Sequence, residues 1–140
     1  MGLEAKITDK PQYGVGDASY QAAGGEVGIR KLVNDFYDVM EHRPEAQKIR
    51  RMHSADLTVS RDKLTLFLCG WLGGQQSYSQ KYGPIRIPQV HSHLEIGSRE
   101  RDAWLQCMQE ALKTQPYPAD FKEYLLEQLY VPAERSRNRP

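Results

Sequence analysis

One set of intervals, apolar residues at i, i+3, i+4, i+7 and i+8, recurs along this 140-residue chain and limits what it can fold into. Leu64, Phe67, Leu68, Trp71 and Leu72 follow it, as do Trp104, Cys107, Met108, Ala111 and Leu112. Ile29, Leu32, Val33, Phe36, Tyr37 and Met40 trace a similar stripe, and Phe121, Tyr124, Leu125 and Leu129 a further one. Each stripe is the buried face of a helix with a period of 3.6 residues. No strand-like alternation and no internal repeat is present. The sequence therefore predicts an all-α fold in one domain, long enough to bury roughly 68% of the unfolded surface.

Glycine and proline set the expected boundaries. Residues 1–18 hold four glycine or proline positions and little apolar content, which predicts a flexible N-terminal arm. Ser19 to Ala23 reads as a short helix closed by Gly24-Gly25, and Pro44 opens a brief helical turn to about Met52. His53 to Asp56 is a corner, Ser60 is placed to cap the next helix, and Gly73-Gly74 stops it. Gln75 to Pro88 reads as a long connection without regular structure, and loops of that length are often functional. Gly97-Ser98 caps the tryptophan helix, with Glu100 at the positive end of its dipole. Pro116 and Pro118 precede the last helix, expected to end at Pro132. The domain is thus expected at 19–132, with 133–140 a solvated basic tail carrying Arg135, Arg137 and Arg139.

A net charge of +1 gives no global attraction to nucleic acid or an anionic membrane. No apolar run approaches the ~18 residues of a spanning helix, and the N-terminus lacks a signal-peptide core, so a cytoplasmic protein is expected. Cys69 and Cys107 fit no metal-binding spacing and are expected as free thiols.

The candidate chemistry lies between Pro88 and Met108. Prolines confine His91 to a short turn, and Trp104 follows thirteen positions later on a helical stripe. From the residues alone, a plain helical bundle and one built around a cofactor both fit. A lone histidine beside a loop is ordinarily structural. His93 does not make a metal pair with His91, because residues two apart on a helical turn point away from each other.

Longer words narrow the choice. AAGG, FYDVM, MHSADL, KLTLFLCGWLGG, the histidine turn and IGSRERDAWLQCM together resemble the truncated haemoglobins, and more narrowly their second group, marked by a tryptophan thirteen residues after the iron-binding histidine. The resemblance runs from about Ser19 to Val131. It implies a two-over-two helical sandwich around one haem b, with the helix of the proximal histidine shrunk to a turn. It implies that His91 is the iron ligand and that Tyr37 and Trp104 donate hydrogen bonds to a diatomic ligand. His53 would donate through a ring N–H or itself take the sixth iron position, and Ser60 stands where ordinary globins carry the distal histidine. Leu64, Phe67 and Leu68 would line the haem, and Lys63 and Arg86 would reach its propionates. Three departures bear on the haem edge: Val90 replaces a common arginine, His93-Leu94 a proline-phenylalanine pair, and Gln75 a frequent proline.

The function implied is reversible binding of dioxygen, CO or NO, in transport or a related role. The alternative is a haem enzyme for nitric oxide dioxygenation or peroxide detoxification. The chain holds no flavin or nicotinamide motif, so an external reductase would have to be another protein. A monomer or homodimer is expected, and a haem-free helical interaction domain is the remaining reading.

Overall fold

The computed structural model describes residues 12–84, 91 and 94–139. Its helices are α1 (Ala18–Ala22), α2 (Gly25–His42), a 3-10 turn (Pro44–Ala46), α3 (Gln47–Arg51), α4 (Thr58–Trp71), α5 (Ser77–Tyr82), α6 (Ser98–Lys113) and α7 (Ala119–Arg135). No strand occurs among the described residues. Helix α2 packs against both α4 and α6, and α6 packs in turn on α7.

The central position of α2 follows from its sequence. Ile29, Leu32, Val33, Phe36, Tyr37 and Met40 are all 4% exposed or less, a stripe wide enough to meet two partners. From α6 come Cys107, Met108, Ala111 and Leu112, and from α7 Phe121, Leu125 and Leu129, all buried in the same core. Arg61 fastens α4 to α2, donating to the Asn34 carbonyl at 2.9 Å and to Asp38 at 2.9 Å. Gly73 (φ +100°) adopts a backbone conformation that side chains avoid. A Cβ there would also lie 2.0 Å from the Gly16 carbonyl oxygen, so the backbone at Gly16 lies directly against the end of α4.

Four local expectations are corrected. Helix α4 does not bury one stripe but two faces. Thr65, Leu68, Cys69 and Leu72 are buried in the body of the protein, whereas Leu64 and Phe67 are half-buried beside a cavity, and Trp71 at the helix end is 37% exposed and stacked on Phe67. Ser60 does not cap α4, which starts two residues earlier. The exposed N–H and hydroxyl of Thr58 instead donate to the Asp56 carboxylate at 2.9 and 2.7 Å.

The expected long loop contains α5, which has no apolar stripe and no buried residue. It is held by polar links, with Lys81 and the Tyr82 hydroxyl each 2.7 Å from Asp62 of α4. Helix α7 runs through Pro132 to Arg135. The N–H that proline lacks would have bonded near Gln128, an exposed position where water can satisfy the carbonyl.

Candidate functional site

Helices α2, α4, α6 and α7 surround a cavity of about 420 Å³, closed on one side by the turn at His91. Ile49, Met52, Leu64, Phe67, Leu94 and Ile96 give it apolar walls, and Tyr37, His53, Ser60, Lys63, His91 and Trp104 give it polar groups. The size and the mix of apolar lining with few polar groups are those of a small-molecule site.

Tyr37 is held by α2 with its ring edge-on to Phe36 at 5.0 Å and the Arg61 guanidinium 5.6 Å from its centroid. Its hydroxyl donates to the Ser60 carbonyl at a long 3.5 Å, a weak bond that a better acceptor in the cavity can displace. Burial pushes the phenol's pKa up, against the opposing charge of Arg61, so the group stays a donor. Trp104 is half-buried, its ring 5.0 Å from that of Phe36. Its indole N–H makes no hydrogen bond to any described residue and is available to an occupant of the cavity.

His53 stands edge-on to Tyr37 at 5.5 Å. Its Nδ1 lies 2.8 Å from the Ile49 carbonyl oxygen, so that nitrogen carries a proton and donates. Burial, helped by the nearby Arg50 and His91, holds the ring's pKa below its ordinary value and outweighs that bond. The neutral ring then offers a lone pair at Nε2. In that form the single ring proton is engaged with Ile49. His53 also lines a shallow, open groove bounded by Glu41, Arg50 and Arg51, and so forms the partition between cavity and solvent on that side.

His91 lines the same cavity and is half-buried, with its Nδ1 3.5 Å from the Ser136 hydroxyl. Lys63 is exposed at the rim, its ammonium 5.1 Å from the Tyr82 ring centroid. Leu68, expected at the cavity, is fully buried in the core instead: it shares a face of α4 with Leu64 but is turned about 40° from it, toward Thr65, Cys69 and Leu72, which are also buried. Arg86, Val90 and His93 lie outside the described residues. Both cysteines are buried free thiols, and burial pushes each up to about 11.

Several lining residues escaped sequence reasoning, Arg101, Tyr78 and Ser136 among them. Arg101 stands one helical turn before Trp104 and pairs with Glu134 of α7, and the i, i+3 spacing from Trp104 was the signal for it. Tyr78 on α5 and Ser136 beyond α7 also line the cavity, and no local pattern announces either. An imidazole facing an apolar chamber with cationic side chains at its rim fits an iron porphyrin, which needs a nitrogen donor, apolar faces and charge at its propionate edge.

Comparison with known proteins agrees with that chemistry. The bacterial-like globin family matches residues 18–135. The group 2 truncated hemoglobin YjbI of Bacillus subtilis is 29% identical over 122 residues, covering 87% of this chain and 89% of the relative. Among solved structures, the group II 2-on-2 hemoglobin of Agrobacterium tumefaciens is 34% identical with a TM-score of 0.82, covering 87% of this chain and 95% of its own. The cold-adapted truncated hemoglobin of Pseudoalteromonas haloplanktis TAC125 is 30% identical with a TM-score of 0.83, covering 87% and 98%. No described helix is long and apolar enough to cross a membrane. With its stacked helix pairs, its tryptophan-faced chamber and its histidine turn, the chain belongs to the bacterial-like globins as a haem-binding truncated haemoglobin of the second group.

Proposed function

We propose that the protein binds dioxygen, and other diatomic ligands such as CO and NO, reversibly in the chamber between His91 and Trp104. Haem b would supply the iron on which the gas is held. His91 would be its protein ligand through a neutral ring nitrogen, with Leu64 and Phe67 against its faces and Lys63 near its propionate edge. Arg86 is proposed for the same edge on the sequence resemblance alone.

The observation that supports this reading is a pair of donors lining the same cavity as His91. Tyr37 offers a phenol O–H in only a weak existing bond, and Trp104 offers an uncommitted indole N–H. Neither can act as a base at neutral pH, so both stabilise an occupant with partial negative charge. Ser60 is small and leaves room beside them, while His53 offers an acceptor, or a sixth ligand if the corner moves inward. Hydrogen bonds to charged groups contribute about 1.5–3 kcal/mol each, roughly 10- to 100-fold in affinity.

Two such bonds slow ligand release, which favours a chemical or protective role over bulk delivery. Nitric oxide dioxygenation or peroxide detoxification with a separate reductase is the second reading, favoured by the same paired donors. Oxygen dissociation rates for Tyr37→Phe and Trp104→Phe test the binding reading. Each is expected to rise at least tenfold, and unchanged rates in both would refute the assignment. Catalytic consumption of nitric oxide in the presence of a reductase would promote the enzymatic reading.

A further inference from the structure

The segment that carries His91 is tied to distant residues. The Leu94 N–H donates to the His91 carbonyl at 3.0 Å, and the neighbouring described groups bond further afield. They find the end of the chain. The Asn138 side-chain amide donates to the carbonyls of Leu94 at 2.6 Å and His91 at 3.2 Å, and its oxygen accepts the Ile96 N–H at 2.9 Å. The backbone N–H groups of Asn138 and Arg139 both donate to the Ile96 carbonyl, at 2.7 and 2.9 Å. Asparagine fits this place because it alone with glutamine carries a donor pair and an acceptor on one planar group. The expected solvated tail is, at this residue, a docked strap.

Ser136 adds a link to the ring itself. Its hydroxyl donates to the Pro132 carbonyl at 3.0 Å, so toward His91 Nδ1, 3.5 Å away, it presents a lone pair. That acceptor favours a proton on Nδ1, the role a carbonyl or carboxylate partner plays for other ligating histidines. We propose that the C-terminal segment is a strap that positions the iron-binding histidine, with Ser136 orienting its ring and Asn138 holding the turn that carries it. This rests on the haem-binding reading of the cavity.

The test compares the haem-loaded full chain with Ser136→Ala, Ser136→Thr and Asn138→Ala. In the ferrous, ligand-free state, resonance Raman spectroscopy of Ser136→Ala is expected to show the iron–histidine stretching band at lower frequency, with Ser136→Thr restoring it. Asn138→Ala is expected to speed haem transfer to an apomyoglobin acceptor about tenfold. Circular dichroism melting of each apoprotein establishes that the variants fold. An unmoved band in Ser136→Ala together with unchanged haem transfer in Asn138→Ala overturns the proposal. So does a variant that melts earlier while its band and transfer rate stay those of the wild type, which would be a purely structural role. A wild-type chain that takes up no haem defeats the haem reading itself and is seen before any variant is made.

Discussion

Two parts of the cavity lining are built on different principles. In one, Tyr37, Leu64, Phe67 and Trp104 project from α2, α4 and α6, helices of 14 to 18 residues whose other faces are buried in the core. A helix satisfies its own backbone, so the periodicity that buries one face also aims the other. In the other, His91 is held by the chain end, its carbonyl accepting from the Asn138 side chain, 47 positions later. The contrast teaches that a short functional turn borrows its rigidity, and that the lender can be anywhere in the chain.

The comparison is broken most directly at His91. His91→Ala is expected to abolish stable haem retention, seen as loss of the intense violet absorption band from the purified protein. Added imidazole should restore it in part. A variant that kept its haem would move the iron ligand to another residue.

The distal framework is tested by Phe36→Ala. Phe36 is fully buried and its ring lies 5.0 Å from both Tyr37 and Trp104, so it backs both proposed donors. Truncation should cost about 3–5 kcal/mol in denaturant unfolding, because a rigid core does not collapse into the void. A milder probe is Tyr117→Phe. The Tyr117 hydroxyl donates to the Gly28 carbonyl at 2.9 Å, tying the loop before α7 to the start of α2, and its loss should cost about 1 kcal/mol.

The smallest effect is expected beside the strap. The Arg137 guanidinium, and then that of Arg101, hold the Glu134 carboxyl down to about 2. An unfolded glutamate titrates near 4.3. The depressed group therefore contributes stability that is fully present above that value and is lost as pH falls through about 2. The melting difference between wild type and Glu134→Gln should be largest near pH 6 and shrink steadily on acidification. It should be small throughout, since the Arg101–Glu134–Arg137 group lies at the surface, where solvent screens it. A difference independent of pH would remove charge from the account.

What could be read from the sequence varies with how local its cause is. The buried stripe of α2 was legible to the residue, because six positions on one face can only be covered by partners. The intervals of α4 were right, but periodicity does not distinguish core from cavity, so Leu68 was assigned to the haem while it packs in the core. Ser60 is a capping residue type, but the backbone path starts α4 at Thr58 after Leu57, and the Asp56 carboxylate instead binds Thr58 in the turn before the helix. Helix α5 was missed because nothing apolar marks it; its links to Asp62 join residues nearly twenty positions apart.

By itself, then, the sequence determined an all-helical globin with His91 and Trp104 at a family spacing, since both follow from short-range periodicity and from words of contiguous residues. Tertiary structure alone decided which face of α4 meets the chamber, which nitrogen of His53 remains open, and that Asn138 closes the His91 turn. Those outcomes depend on hydrogen bonds and packing between segments distant along the chain, and such pairings leave no period in the residues that make them.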